Sequence, residues 1–438
     1  MRCSPVLLLA TLVAGSVRQK GNRCELYPES LDHGGKPVDD VPSILDAFKR
    51  CGKDGTVVFT KNTFNIGSVM NTTNLVNCDV ELHGTLKYST DIAYWRLKSY
   101  PVIYQNHTTA WLFGGTNVTF KGVDGGHIDG SGQAWYTFNR GKGNMPGRPI
   151  QITVFNSTNV WMDHLRIVQP IFWASFVWQS KNVSIVNYYS NATSTDGNST
   201  TNTDGFDSWN SENLLIHNAT VHTDDDCIAV KGNTTNMLIK NVTCINGAGT
   251  TIGSIGQYPD MPDYVSNIVF DNITCISTSG CAYIKTWQGD YLNKTTNGDG
   301  GGGGGGRVKN VTFQNYRFKN VALPIQISQC IYAGEGGHGC NTSKLAIEDV
   351  RWVNYTGTSR YNIGASIYCS ALHPCPGIKF ENVNITGINA TLGLPYWNTK
   401  IQYEVFQCAN ILGQKCSGIG CNRVAPEFFS QTVRKNIQ

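Results

Sequence analysis

Short apolar stretches recur along the chain, each directly behind an asparagine. Asn117-Val-Thr-Phe, Asn159-Val-Trp-Met, Asn182-Val-Ser-Ile, Asn213-Leu-Leu-Ile, Asn236-Met-Leu-Ile, Asn267-Ile-Val-Phe and Asn310-Val-Thr-Phe share this form, and Lys344-Leu-Ala-Ile and Gly377-Ile-Lys-Phe read as later, degenerate copies. The copies are spaced by about 23 to 43 residues, the range of stacked repeat units with loop insertions. The runs are strand-length, rich in Val, Ile, Phe and Thr, and alternate in places. A helical period is almost absent; Pro42 to Cys51 is the exception, where Ile44, Leu45 and Phe48 line one face. One set of short strands per repeat, without intervening helices, predicts an all-β, right-handed parallel β-helix. In that architecture the turn asparagine bonds backbone groups and stacks on its neighbour in the next coil. A β-propeller or jelly roll is the runner-up, disfavoured by the irregular repeat and the lack of paired hairpin turns. The glycine run Gly300 to Gly306 predicts a flexible loop between two coils, because ordering it costs the most backbone entropy. No linker divides the chain.

Composition narrows the function. The 438 residues are enough for a substantial core, only 15% are charged, and the formal charge is +4 without a basic tract, so nucleic acid is not an expected partner. The N-terminus reads Met1-Arg2, an apolar run from Pro5 to Val13, then Ala14-Gly15-Ser16, the form of a secretory signal peptide over residues 1–16. Residues 17–438 then form one β-helix domain, and no later segment is apolar enough to span a bilayer. Of 15 cysteines, an even 14 remain once Cys3 leaves with the signal. Roughly seventeen Asn-x-Ser/Thr acceptors, among them Asn106, Asn182, Asn241, Asn310 and Asn384, predict a glycosylated, extracellular protein. The cysteine spacing suits local staples, Cys275 with Cys281, Cys330 with Cys340 and Cys369 with Cys375, although separation alone leaves the pairing open.

Candidate chemistry lies in two acidic clusters of adjacent repeats, Thr201-Asn202-Thr203-Asp204-Gly205-Phe206-Asp207 and Thr223-Asp224-Asp225-Asp226-Cys227. Equivalent points of neighbouring parallel coils stand about 5 Å apart, which sets Asp204 beside Asp225 or Asp226. Crowded carboxylates repel, so at least one keeps its proton. One acid and one or more bases are what glycosidic hydrolysis requires. A calcium site, or merely solvated turns, explains the spacing equally well.

The motifs go further than the spacing. Asn202-Thr203-Asp204, Asp225-Asp226-Cys227, Gly247-Ala248-Gly249 with Ser254-Ile255-Gly256, and Tyr283-Ile284-Lys285 occur in the order seen in glycoside hydrolase family 28, the polygalacturonase family, which the mature chain resembles over nearly its whole length. The resemblance implies a parallel β-helix and hydrolysis with inversion. It implies Asp225 as general acid and Asp204 with Asp226 as the pair that activates water, and it pairs Cys227 with Cys244. Asn202, Tyr283 and Lys285 become candidate substrate contacts. Gly253 to Pro259, Lys285-Thr286-Trp287 and Cys330 to Gly334 resemble fungal exo-acting members, which close one end of the cleft with loops; Tyr332 is a further candidate sugar contact.

Two departures bear on the substrate. Ala248 stands where homogalacturonan-cleaving members carry a His between two glycines, and Tyr283 stands where they carry the Arg of an Arg-Ile-Lys motif. That arginine would pair bidentately with a galacturonate carboxylate. Rhamnogalacturonan-cleaving members also depart at these places, so the expectation is a secreted exo-hydrolase acting on rhamnose-containing pectic polysaccharide. An exopolygalacturonase is the first alternative, a non-catalytic carbohydrate-binding β-helix the second, and a lyase on the same architecture is disfavoured because no Arg or Lys accompanies the aspartates. Neither cofactor nor membrane partner is expected, and the protein reads as a monomer. Trp173, Trp178 and Trp209 suit core packing more than sugar stacking. His338 is a loop-borne polar candidate, and His217 and His222 lack metal-ligand spacing with the cysteines.

Overall fold

In the computed structural model, described for residues 16–31, 37–290, 301–331, 339–360, 363–387, 405–412, 421 and 423–425, nearly all strands pair in parallel, each with its counterpart one coil away. The fold is a right-handed parallel β-helix. One inward column runs the length of the solenoid in register: Val80, Phe120, Met162, Ile185, Ile216, Ile239, Phe270, Phe313, Trp352 and Phe380. All are buried, and from Phe270 onward the rings stack face to face, with centroids 4.9, 5.6 and 4.8 Å apart. Burial of such columns is the main stabilising term in a solenoid, since each coil can cover its apolar face only with the next.

The recurring asparagine has a backbone cause. All seven adopt left-handed φ values between 55° and 58°, a conformation that Asn tolerates better than other non-glycine residues. The turn aims each side chain along the axis. Asn117 donates through Nδ2 to Oδ1 of Asn77, and the ladder continues through Asn159, Asn182, Asn213, Asn236, Asn267 and Asn310 at 2.8 to 3.3 Å. Gly377 is a true later copy, but Lys344 is out of frame. The turn of that coil is Asp349 at φ 55°, and Val350 pairs with Val311. Asp and Gly, which also accept this φ, replace Asn there.

The helix expected near Pro42 spans Val41–Cys51 and packs Ile44, Ala47 and Phe48 over the first coils, with Cys51 bonded to Cys24. Two further helices, Ile92–Lys98 and Gly132–Asn139, escape the sequence reading because they are short and lie in insertions outside the repeat. The glycine run is also corrected. Gly301 to Gly304 are buried rather than loose. The amides of Gly302, Gly303 and Gly304 donate to the carbonyls of Gln257, Gln288 and Gly256, and Gly305 opens the strand Gly305–Val321. A Cβ on Gly304 would stand 2.6 Å from the Tyr258 carbonyl oxygen, so close approach of backbones explains the glycine better than flexibility does.

Cys227–Cys244, Cys275–Cys281, Cys330–Cys340 and Cys369–Cys375 are bonded as anticipated, and Cys24–Cys51 and Cys408–Cys421 join them. Cys78 is buried and forms no disulfide among the described residues, and burial pushes its thiol up to about 12, so it stays an inert thiol. Residues 1–15, Cys416, Tyr332 and His338 lie outside the described residues. No described helix is long and apolar enough to cross a membrane.

Candidate active site

Five strands stack to form the floor of the site: Phe206–Trp209, Asp226–Val230, Gly249–Ile255, Gly280–Thr286 and Leu323–Ser328. Strand alternation turns Phe206, Ile228, Thr250, Ala282 and Ile325 one way and Asp207, Ala229, Thr251, Tyr283 and Gln326 the other. The acids sit where the chain enters the first two strands. Gly205 is required there, since a Cβ would lie 2.5 Å from the Val221 side chain and 2.6 Å from the Cys227 carbonyl. Gly247, at φ +63°, lets the next coil wrap the Asp225 carbonyl, to which Ala248 N–H donates at 2.7 Å.

Asp204, Asp225 and Asp226 converge: one oxygen of each lies within 4.8 Å of one from each of the others. Their surroundings differ. Asp225 is partly exposed and accepts two hydrogen bonds on Oδ2 from Asn202, the amide at 3.0 Å and Nδ2 at 3.2 Å, while its Oδ1 accepts from the Asp226 amide. Asp226 is buried, with Lys285 Nζ at 2.5 Å from Oδ2 and Thr251 Oγ1 donating to Oδ1 at 2.9 Å. Asp204 is buried and, among the described residues, its Oδ1 has no hydrogen-bond partner. Burial, followed by repulsion from Asp225, Asp207 and Asp226, raises its pKa well above the carboxylate range. The cluster therefore holds a proton where isolated aspartates would not.

The sequence-named residues divide into groups. Lys285 and Asn202 reach the cluster through its own carboxylates, not as free ligands. Tyr283 is buried beside them, its ring 5.8 Å from Lys285 Nζ. Trp173, Trp178 and Trp209 are buried in packing, with Trp178 stacked on Trp209. His217 and His222 bond Asn241 and Asn246 of the next coil, extending the asparagine stacking.

Sequence reasoning missed four features. Asp207 and Lys231 form a buried ion pair at 3.0 Å beside the cluster; alternation in the two strands was the available signal. Arg148, also buried, donates to the carbonyls of Ile171, Thr200 and Thr201 and so supports the Asn202–Asp204 turn; nothing in its local sequence marks it. A strap from Tyr100 to Thr109 crosses the coils. Tyr104 packs 4.9 Å from Trp209 and donates to the Ser254 carbonyl at 2.7 Å, and Gln105 bonds Tyr258 and Gln257. Its His107, held neutral by burial and by Lys231 with its pKa at about 3, rests against Phe172 and Trp173.

A parallel β-helix carrying three converging aspartates is the framework of a glycosidase. The model for glycosyl hydrolases family 28 matches residues 56–403, and the chain belongs to that family. It is 36% identical over 425 residues to the α-L-rhamnosidase rgxB of Aspergillus niger, covering 95% of this chain and 96% of that protein. It is 35% identical to an exopolygalacturonase of Cochliobolus carbonum, covering 87% and 82%. Among solved structures, the endo-xylogalacturonan hydrolase of Aspergillus tubingensis superposes with a TM-score of 0.77 at 26% identity, over 92% of this chain and 99% of that one.

Proposed function

We propose that this glycosidase removes terminal sugars from pectic polysaccharide, with inversion, and that the terminal sugar is rhamnose. One observation carries the choice of sugar: the described cations around the three carboxyls are all engaged. Lys285 is paired with Asp226, Lys231 with Asp207, and Arg148 with backbone carbonyls. Tyr283 adds an apolar ring where a guanidinium would have met a carboxylate. A neutral deoxy-sugar leaves no charge unmatched there, whereas a galacturonate carboxylate would be desolvated without a partner. The similarity to a rhamnosidase supports the same sugar. Similarity to an exopolygalacturonase at nearly equal identity favours galacturonate as a second reading.

Exo action suits the strap, which is tied to Ser254, Gln257 and Tyr258 and packs on Trp209, a covering of the coils near the carboxyls that favours a chain end over a continuous polymer. In the mechanism, Asp225, the most exposed of the three, protonates the leaving oxygen. Asp204 and Asp226 hold and deprotonate the attacking water. The carboxyls stand closer than the gap of about 6.5–9.5 Å usual for an inverting pair. In this site three groups, not two, surround the water. Six disulfides suit an oxidising, extracellular place of work.

Product analysis tests the reading. Free rhamnose from a nitrophenyl α-L-rhamnoside or a rhamnogalacturonan fragment, abolished by Asp225→Asn, is the expected result. Release of galacturonate alone from oligogalacturonides overturns the choice of sugar. Turnover that survives Asp225→Asn overturns the acid assignment.

A further inference from the structure

The mechanism leaves unused a second buried charge cluster directly behind the first. Asp207 follows Asp204 by three residues, is fully buried, and pairs with the equally enclosed Lys231 at 3.0 Å. Lys231 Nζ lies 4.8 Å above the Trp173 ring, and the Tyr104 strap seals the layer from outside. Among the described residues, neither oxygen of Asp207 nor Oδ1 of Asp204 accepts a hydrogen bond, Lys231 facing Asp207 Oδ1 as an ion pair at 3.0 Å. Two buried carboxyl oxygens without donors cannot both belong to full anions at acceptable cost; a retained proton removes the conflict. Lys231 satisfies one side of this arrangement only.

We infer that the Asp207–Lys231 pair is a positioning device for the catalytic carboxyls, fixing through Asp204 how firmly the cluster keeps its proton. The inference rests on the assignment of Asp204, Asp225 and Asp226 as the reacting acids. Asp207 touches neither substrate nor water; it acts as a fixed negative charge facing Asp204, and Lys231 as the counter-charge that limits it. The other charged and titratable groups facing this layer are Asp225 and Asp226, with Lys285 behind Asp226. Arg148 lies under the Asn202–Asp204 turn, Tyr188 bonds the Gly205 carbonyl, and Tyr104 and His107 come from the strap. Buried tyrosines and the neutral His107 carry no charge near neutrality, so the paired lysines and Arg148 are the cations that balance four carboxyls.

The test is the pH dependence of kcat/KM on whichever probe the protein cleaves, the nitrophenyl rhamnoside or an oligogalacturonide. Asp207→Asn removes the negative charge and leaves Lys231 uncompensated. Asp204 then releases its proton about tenfold more readily, and the acid limb, set by ionisation of the water-activating carboxyls, moves down by about one pH unit. The double variant Asp207→Asn with Lys231→Met removes both charges, and the limb returns toward that of the unmodified protein although more of the structure has been altered. A packing role predicts the reverse: additive loss of rate with limbs unmoved in both variants, and that result overturns the inference.

Should either variant fail to fold, the unmodified protein still decides, through the infrared carboxylic-acid band titrated with pH. A protonated carboxyl persisting well above the ordinary aspartate range supports the inference; ionisation of every carboxyl within that range overturns it. This readout does not need turnover. Failure of the catalytic assignment, seen as activity in Asp225→Asn, is therefore distinguishable from failure of the pair.

Discussion

Lys285 gives the sharpest test of how the site holds its charges, because the sequence assigns it to substrate and the structure seats it on Asp226. Its Nζ lies 2.5 Å from Asp226 Oδ2, with side-chain exposures of 8% and 1%, so solvent screens the pair little. Removing one partner of a buried ion pair costs about 3–5 kcal/mol, since the remaining charge is stranded. At about 1.4 kcal/mol per pKa unit, Asp226 in Lys285→Met would take up a proton about two to three and a half units higher in pH. If Asp226 must be ionised to draw a proton from water, kcat falls by about a hundredfold at the original optimum. The acid limb of the kcat profile moves up by about two units, and raising the pH recovers part of the rate. Steady-state kinetics from acid to alkaline pH on both forms measures this, with Lys285→Arg expected to keep the original limb. A rise in KM alone, with the limbs in place, refutes the reasoning and returns Lys285 to the substrate.

Three other outcomes follow from the same structure. Replacing Cys227 and Cys244 by alanine opens a 17-residue loop and should lower unfolding stability by about 3 kcal/mol, read as a lower denaturant midpoint. Trp352→Ala, which removes a ring stacked between Phe313 and Phe380, should cost about 3–5 kcal/mol in the same assay. Burial raises Asp263 from 3.8 to about 6, so the folded protein keeps a proton that the unfolded chain has lost; stability should fall as pH rises from about 4 to about 6, by about 3 kcal/mol. Thermal melting over that window checks the sign, and a melting temperature that climbs contradicts it.

The repeat was legible because a left-handed turn recurs at the same point of each coil and Asn both tolerates that φ and bonds its neighbour along the axis. The ladder is thus written into the sequence, and it blurs where Asp349 and Gly377 satisfy φ without an amide. The three aspartates were legible because coil spacing converts a sequence interval into a distance. Other parts were hidden because they depend on contacts between distant segments. Gln105 meets Gln257 across 152 residues, and Arg148 reaches Thr201 across 53, with no local pattern in either. The glycine run misled for the same reason: its conformational freedom is visible in sequence, whereas the backbones packed against Gly304 are not.

The most direct test of the three-carboxyl account is the anomeric configuration of the first sugar released, followed by proton NMR before mutarotation. An α-linked substrate should yield the β-anomer first, because water held by Asp204 and Asp226 attacks from the face opposite the bond that Asp225 protonates. Initial appearance of the α-anomer would mean that a carboxylate bonds the sugar itself, and the division of labour among the three aspartates would be wrong.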